Sequence, residues 1–154
     1  VTTKTAMPKI MRVADVMTSD VMFIEAHATV FEASSALTER KVGGAPVLRG
    51  SAIVGVVSKT DLTDTRKDLE VRVDKVMTPV VYAVRATDPA FLAVQLMVDE
   101  SIHRVIVVDD LGNLAGIVTS SDILQAIRNG KPIVPLNDRV ELDYVDLRQF
   151  GNKA

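Results

Sequence analysis

Cysteine is absent from this chain of 154 residues, and histidine occurs only at His27 and His103. Without cysteine there is no disulfide framework, no thiolate nucleophile and no thiolate metal site, and nothing points to an oxidising compartment. No apolar run approaches the ~20 residues of a membrane-spanning helix, and Val1 to Met11 lack the apolar centre of a signal peptide. The expectation is a soluble, cytoplasmic protein with no membrane partner. An excess of positive charge is also missing. With 18 basic residues against 20 acidic ones, nucleic acid is not expected as a principal partner. Catalytic signatures are missing as well: there is no Gly-x-Gly-x-x-Gly, no Walker lysine loop and no His-Glu-x-x-His, and Asp109-Asp110 falls in a predicted turn. No residue is nominated as catalytic or as a metal ligand, and no enzyme is expected.

What is present is a duplication. Gly116-Ile117-Val118-Thr119-Ser120-Ser121-Asp122 is a near copy of Gly55-Val56-Val57-Ser58-Lys59-Thr60-Asp61. Each copy reads as a strand running into a helix, with a hydroxyl residue at the N-cap and an aspartate three positions on. Two readings are open. Ser58 with Asp61 and Thr119 with Asp122 suit a capping box. The same junction leaves backbone N–H groups and the positive end of a helix dipole beside a short carboxylate, which suits a phosphorylated ligand whose ribose hydroxyls the aspartate accepts. Taken alone, one junction favours the capping box; what separates the readings is whether the surrounding repeat is a known ligand-binding unit.

The repeats are legible from about residue 13 to about residue 130. Val13-Ala14-Asp15-Val16-Met17-Thr18 recurs as Val73-Asp74-Lys75-Val76-Met77-Thr78. Short strands are predicted at Val21 to Ile24 and Val80 to Val84. Helices follow, opened by Thr29 with Glu32 and by Asp88 with Pro89. Their buried faces are Val30, Ala33, Ala36 and Leu37 in one, and Ala90, Ala93, Leu96 and Met97 in the other. Hairpins come next, Ala45 to Leu48 with Ile53 to Val57 and Val105 to Val108 with Leu114 to Val118, and helices from Thr60 and Ser121 close each unit. The expected organisation is an arm over 1–12, a repeat over 13–66, a charged linker over 67–72, a second repeat over 73–130 and a tail over 131–154. In the tail, alternation at Val140, Leu142 and Tyr144 reads as an accessory strand. Met17, Met77 and Met97 are read as packing residues and His27 as structural.

Two units of β-α-β-β-α, each with a Met-Thr opening and a Gly-φ-φ-Ser/Thr-x-x-Asp closing, resemble the tandem CBS-domain family, the Bateman module, over about residues 13–130. The resemblance implies an α/β pseudo-twofold pair whose sheets face each other and leave two clefts for adenine nucleotides. Asp61 and Asp122 match the family's ribose-binding aspartates, and Ser58 and Thr119 its hydroxyl positions near ribose and phosphate. Thr18 and Thr78, with Ile24 and Val84 in the strands after them, match the segments that border the base. His103-Arg104 matches a basic pair for phosphate, and Gly43-Gly44 stands in its place in the first repeat. The implied ligands are AMP, ADP or ATP, or S-adenosylmethionine, with Mg²⁺ expected only when a polyphosphate brings it. The implied role is a regulatory sensor of energy state, a homodimer acting on an unknown partner protein. Asp61 is expected to share its cleft with His103-Arg104 and to form the stronger site, while Asp122 faces Gly43-Gly44. A ligand-free dimerisation module and a small nucleotide-acting enzyme are the alternatives.

Overall fold

Two β-hairpins form the centre of the fold, because the β-branched runs at 44–58 and 104–119 alternate with tight turns at Gly50 and Gly112. The computed structural model describes residues 10–63, 68–135 and 143–150. In the first sheet, β1 (Ile24–Glu25) runs parallel to β2 (Gly44–Arg49), which pairs antiparallel with β3 (Ala52–Ser58) and then β4 (Thr78–Pro79). In the second, β5 (Tyr82–Arg85) is parallel to β6 (Arg104–Val108), β6 is antiparallel to β7 (Leu114–Thr119), and β8 (Val145–Asp146) adds to the far side of β5. The helices α1 (Val13–Val16), α2 (Val30–Arg40), α3 (Lys59–Thr63), α4 (Ala90–Glu100) and α5 (Ser120–Arg128) complete the α/β units.

Helix α2 starts as its sequence dictates: Thr29 Oγ1 accepts from Glu32 N and Glu32 Oε1 accepts from Thr29 N, both at 3.1 Å. Helix α4 starts differently from expectation. Asp88 turns its carboxylate back to accept from Arg85 N at 2.7 Å, so Pro89 holds the N-cap position without a side-chain cap. Val30, Ala33 and Leu37 are buried on one helix and Ala90, Leu92, Ala93 and Leu96 on the other; of the predicted stripes, Ala36 and Met97 are only half-buried, and Leu92 is added.

The openings of the two repeats are exchanged in space. Val71, Val73, Val76 and Met77 pack into the core of the first repeat, while Val13, Val16 and Met17 pack into that of the second. Backbone bonds fix the exchange: Val73 N donates to Ala28 O at 2.7 Å, and Val13 N to Asp88 O at 2.8 Å. The end of the predicted linker also docks, with Val30 N donating to Val71 O at 2.8 Å; Lys67 lies outside the described residues. A third core lies between the sheets, where Leu48, Ile53 and Val56 meet Ile106, Val108 and Ile117. The tail joins it through Val145 and Leu147, and its strand β8 begins at Val145, just past the predicted alternation: Tyr144 lies outside the strand, and Val140 and Leu142 lie outside the described residues. Among the described residues no helix is long and apolar enough to cross a membrane.

Candidate ligand-binding clefts

Both strand-to-helix junctions form the reciprocal bonds of a capping box. Asp61 Oδ2 accepts from Ser58 N at 2.9 Å and Ser58 Oγ from Asp61 N at 3.2 Å. Asp122 Oδ2 accepts from Thr119 N at 2.9 Å and Thr119 Oγ1 from Asp122 N at 3.1 Å. Each box uses one carboxylate oxygen. Oδ1 of both aspartates has no hydrogen bond among the described residues, and both side chains are half-buried beside a cavity. Capping and ligand binding are therefore compatible at one residue.

The cavities draw on both repeats. Asp61 and Ser58 line one of about 190 Å³ together with Val56, Thr78, Val80 and the run Ser101 to Arg104. A neighbouring hollow of about 210 Å³ shares Thr78, Val80 and Ile102 with it. Asp122 and Thr119 line a second cleft of about 430 Å³ with Thr18, Val42, Gly43, Gly44 and Ile117, and His103 and Arg104 border this one too. The threonines arrive from the opposite repeat: Thr78 pairs with Val56 in the first sheet, and Thr18 bridges Ile117 in the second.

Asp61 thus shares a cleft with His103-Arg104, and Asp122 lies opposite Gly43-Gly44, as expected. The expected poverty of charge beside Asp122 is not found. The guanidinium of Arg104 lies against the glycine pair: a Cβ on Gly43 would sit 2.7 Å from Nη2, and one on Gly44 would sit 2.7 Å from Nε. It has no hydrogen-bond or ion-pair partner among the described residues, so it is not spent on a surface carboxylate. The glycines are thus a trough for an arginine, not a loss of donors.

Ile24 and Val84 do not border the clefts. They are 5% and 0% exposed in the cores of the first and second repeats. The chain changes sheets between Pro79 and Tyr82, so Val84 belongs to the second sheet while Thr78 belongs to the first. The apolar walls come instead from Val56, Val80 and Ile102 on one side and Val42 and Ile117 on the other. Ile117 and Val56 stand one residue after the motif glycines, a position the repeat itself marks.

The CBS domain family model matches residues 13–68 and 73–129. Among solved structures, CBSX2 in complex with AMP is 30% identical, with a TM-score of 0.67 over 79% of this chain and 98% of that one. The CBS domain of a bacterial CNNM/CorC family Mg²⁺ transporter in complex with ATP is 31% identical, with a TM-score of 0.69 over 77% and 87%. An uncharacterized protein of Methanocaldococcus jannaschii is 29% identical over 121 residues, which are 79% of this chain and 41% of that protein. The chain spans less than half the length of that relative.

Proposed function

Because this chain belongs to the CBS domain family, we propose that it is a regulatory module whose clefts bind adenine nucleotides and whose occupancy is passed to a partner protein. The observation that carries the reading is that each cleft is assembled from both repeats around an aspartate with a spare carboxylate oxygen. Asp61 and Asp122 accept ribose hydroxyls, Ser58 and Thr119 lie toward ribose and phosphate, Thr18 and Thr78 border the base, and His103 and Arg104 meet the phosphate. The AMP and ATP complexes of similar proteins support the ligand class. A ligand held by both repeats favours the arrangement of the sheets that it fits better, by no more than its differential affinity for the two. The module acts as a homodimer in the cytoplasm, and a polyphosphate ligand brings any Mg²⁺ with it.

Calorimetric titration with AMP, ADP, ATP, S-adenosylmethionine, GMP and CMP tests the reading. At least one adenosine ligand should bind, GMP and CMP more weakly. Asp61→Ala or Asp122→Ala should cost the affected cleft about 1.5–3 kcal/mol, the loss of a charged hydrogen bond. No binding by any adenosine ligand would leave the aspartates as helix caps and the chain as a dimerisation module. Turnover of a nucleotide during incubation would make it an enzyme instead.

A further inference from the structure

We propose that Arg104 is one phosphate ligand shared by two clefts, so that an anionic nucleotide in either cleft weakens the binding of a second in the other. This rests on the reading of the clefts as nucleotide sites. Three observations place the residue. Arg104 borders both the Asp61 cleft and the Asp122 cleft. Its guanidinium lies in the trough of Gly43 and Gly44, which line the Asp122 cleft, and it has no partner of its own among the described residues. Among the described residues no second arginine or lysine lines either cleft, so none of them replaces it when it is engaged.

A guanidinium carries its donors in one planar fork, and a bidentate bond to phosphate fixes the orientation of that fork. Once turned toward a phosphate on one side, it is withdrawn from the other. The coupling is reciprocal, because each ligand must change the affinity of the other by the same factor. It is also specific to charge: a ligand without phosphate has no use for Arg104 and leaves the clefts independent.

The glycines set the resting position of the switch. A methyl group on Gly44 would also press to 2.8 Å of Val57 O, whereas on Gly43 it meets only the far end of the Arg104 side chain. Gly43→Ala therefore expels the guanidinium from the Asp122 side with little disturbance of the backbone. It should weaken AMP binding in the Asp122 cleft and strengthen it in the Asp61 cleft.

The experiment is calorimetric titration of the folded chain with AMP and with adenosine. Asp61→Ala and Asp122→Ala each leave a single cleft whose affinity is measured alone. In the unmodified protein the second AMP should bind roughly tenfold more weakly than the same cleft binds it alone, within the ~5- to 150-fold range of coupling between sites. In Arg104→Ala the ratio should fall to about one, and adenosine should show no coupling in any variant. An AMP isotherm equal to the sum of the two single-cleft isotherms overturns the sharing while leaving nucleotide binding intact. A ratio that persists or grows in Arg104→Ala also overturns it, since repulsion between two phosphates would then be the cause. Absence of binding by AMP and adenosine alike overturns both readings together.

Discussion

The glycine of each repeated junction is set by a methionine from the other end of the duplication. A Cβ on Gly55 would lie 2.6 Å from Met77 Sδ and 2.7 Å from Thr78 O, and one on Gly116 would lie 2.8 Å from Met17 Sδ and 2.9 Å from Thr18 O. The Met-Thr opening and the glycine-led closing are thus two halves of one contact. Gly55→Ala must move backbone as well as the flexible thioether, so it should cost about 1–3 kcal/mol. Gly50→Ala provides a contrast, because its cost comes from a φ of +63° in open space, with nothing within 4 Å of the new methyl group. Urea midpoints of the two variants separate them when each is paired with Met77→Ala, which should relieve Gly55→Ala in part and leave Gly50→Ala unchanged. A second residue-scale prediction concerns Asp74, whose side chain is 7% exposed and whose Oδ2 accepts from Arg49 Nη2 at 3.1 Å and Arg72 Nη2 at 2.5 Å. Burial pushes its carboxyl up, but the bonds from Arg72 and Arg49 outweigh burial and hold it below the usual carboxylate value. A depressed pKa stabilises the fold above the unfolded carboxylate's value near 3.9 and loses that contribution as pH falls through the folded value. The difference in urea midpoint between the unmodified protein and Asp74→Asn should therefore be flat from neutral pH down to about 4 and shrink below it. A constant difference into stronger acid would mean that the ion pairs contribute nothing that titrates.

At the scale of elements, the tail is tied down by more than its two-residue strand. Leu147 N donates to Val81 O at 2.7 Å, and Phe150 packs against Gly112. Tyr144 reaches α4, where its hydroxyl donates to Asp99 Oδ2 at 2.7 Å and accepts from Gln95 Nε2 at 3.0 Å. Burial first, and then Asp99, push the phenol up to about 12. The neutral phenol is the form that fits, so its stabilisation is whole below the unfolded value near 10 and is lost as pH rises through about 12. Tyr144→Phe should cost about 1 kcal/mol at neutral pH, since the pair is partly solvated, and should speed amide exchange at Val145 and Leu147. Unchanged exchange there would assign the anchoring to Phe150 and Leu147 alone. Alternation at Val140 to Tyr144 signalled a strand in this region, but not its pairing with β5, because a tail without a repeat partner carries no register. The duplicated elements were the legible ones: hydrophobic period and capping residues located α2, both hairpins and both junctions. Two features needed three dimensions. The exchange of the opening segments is invisible to a pattern that matches each opening with its own repeat. Asp88 has the residue type of an N-cap, yet the backbone N–H of Arg85 competes for its carboxylate and wins. The clefts were half legible for the same reason. Their aspartates sit in the repeated motif, while their apolar walls depend on which sheet each strand joins, which misplaced Ile24 and Val84.

The whole molecule is two sheets pressed face to face through Leu48, Ile53, Val56, Ile106, Val108 and Ile117, with both clefts bordered by the strand ends beside that seam. In the proposed reading, a ligand that draws Asp61 toward His103-Arg104, or Asp122 toward Gly43-Gly44, would act on the angle between the sheets, and the helices packed on them would carry the change outward. Two of those helices expose large apolar side chains to solvent among their polar ones. Val98 on α4 and Leu124 and Ile127 on α5 are 72%, 66% and 54% exposed, and α4 and α5 pack against each other. The matching helix of the first repeat is more polar, presenting Ser34, Ser35, Thr38 and Glu39 beside the exposed Phe31. A homodimer through α4 and α5 would cover the apolar residues symmetrically, since a twofold interface uses the same patch on both copies. Leu124→Glu with Val98→Glu should then leave the fold and its AMP affinity per chain intact while converting dimers to monomers in light scattering at micromolar concentration. Both substitutions place a charge at an exposed position, so the expected change in monomer stability is within about 0.5 kcal/mol. If the unmodified chain has a monomer mass with and without AMP, the dimer is wrong, and α4 and α5 are left as the face that a different protein covers.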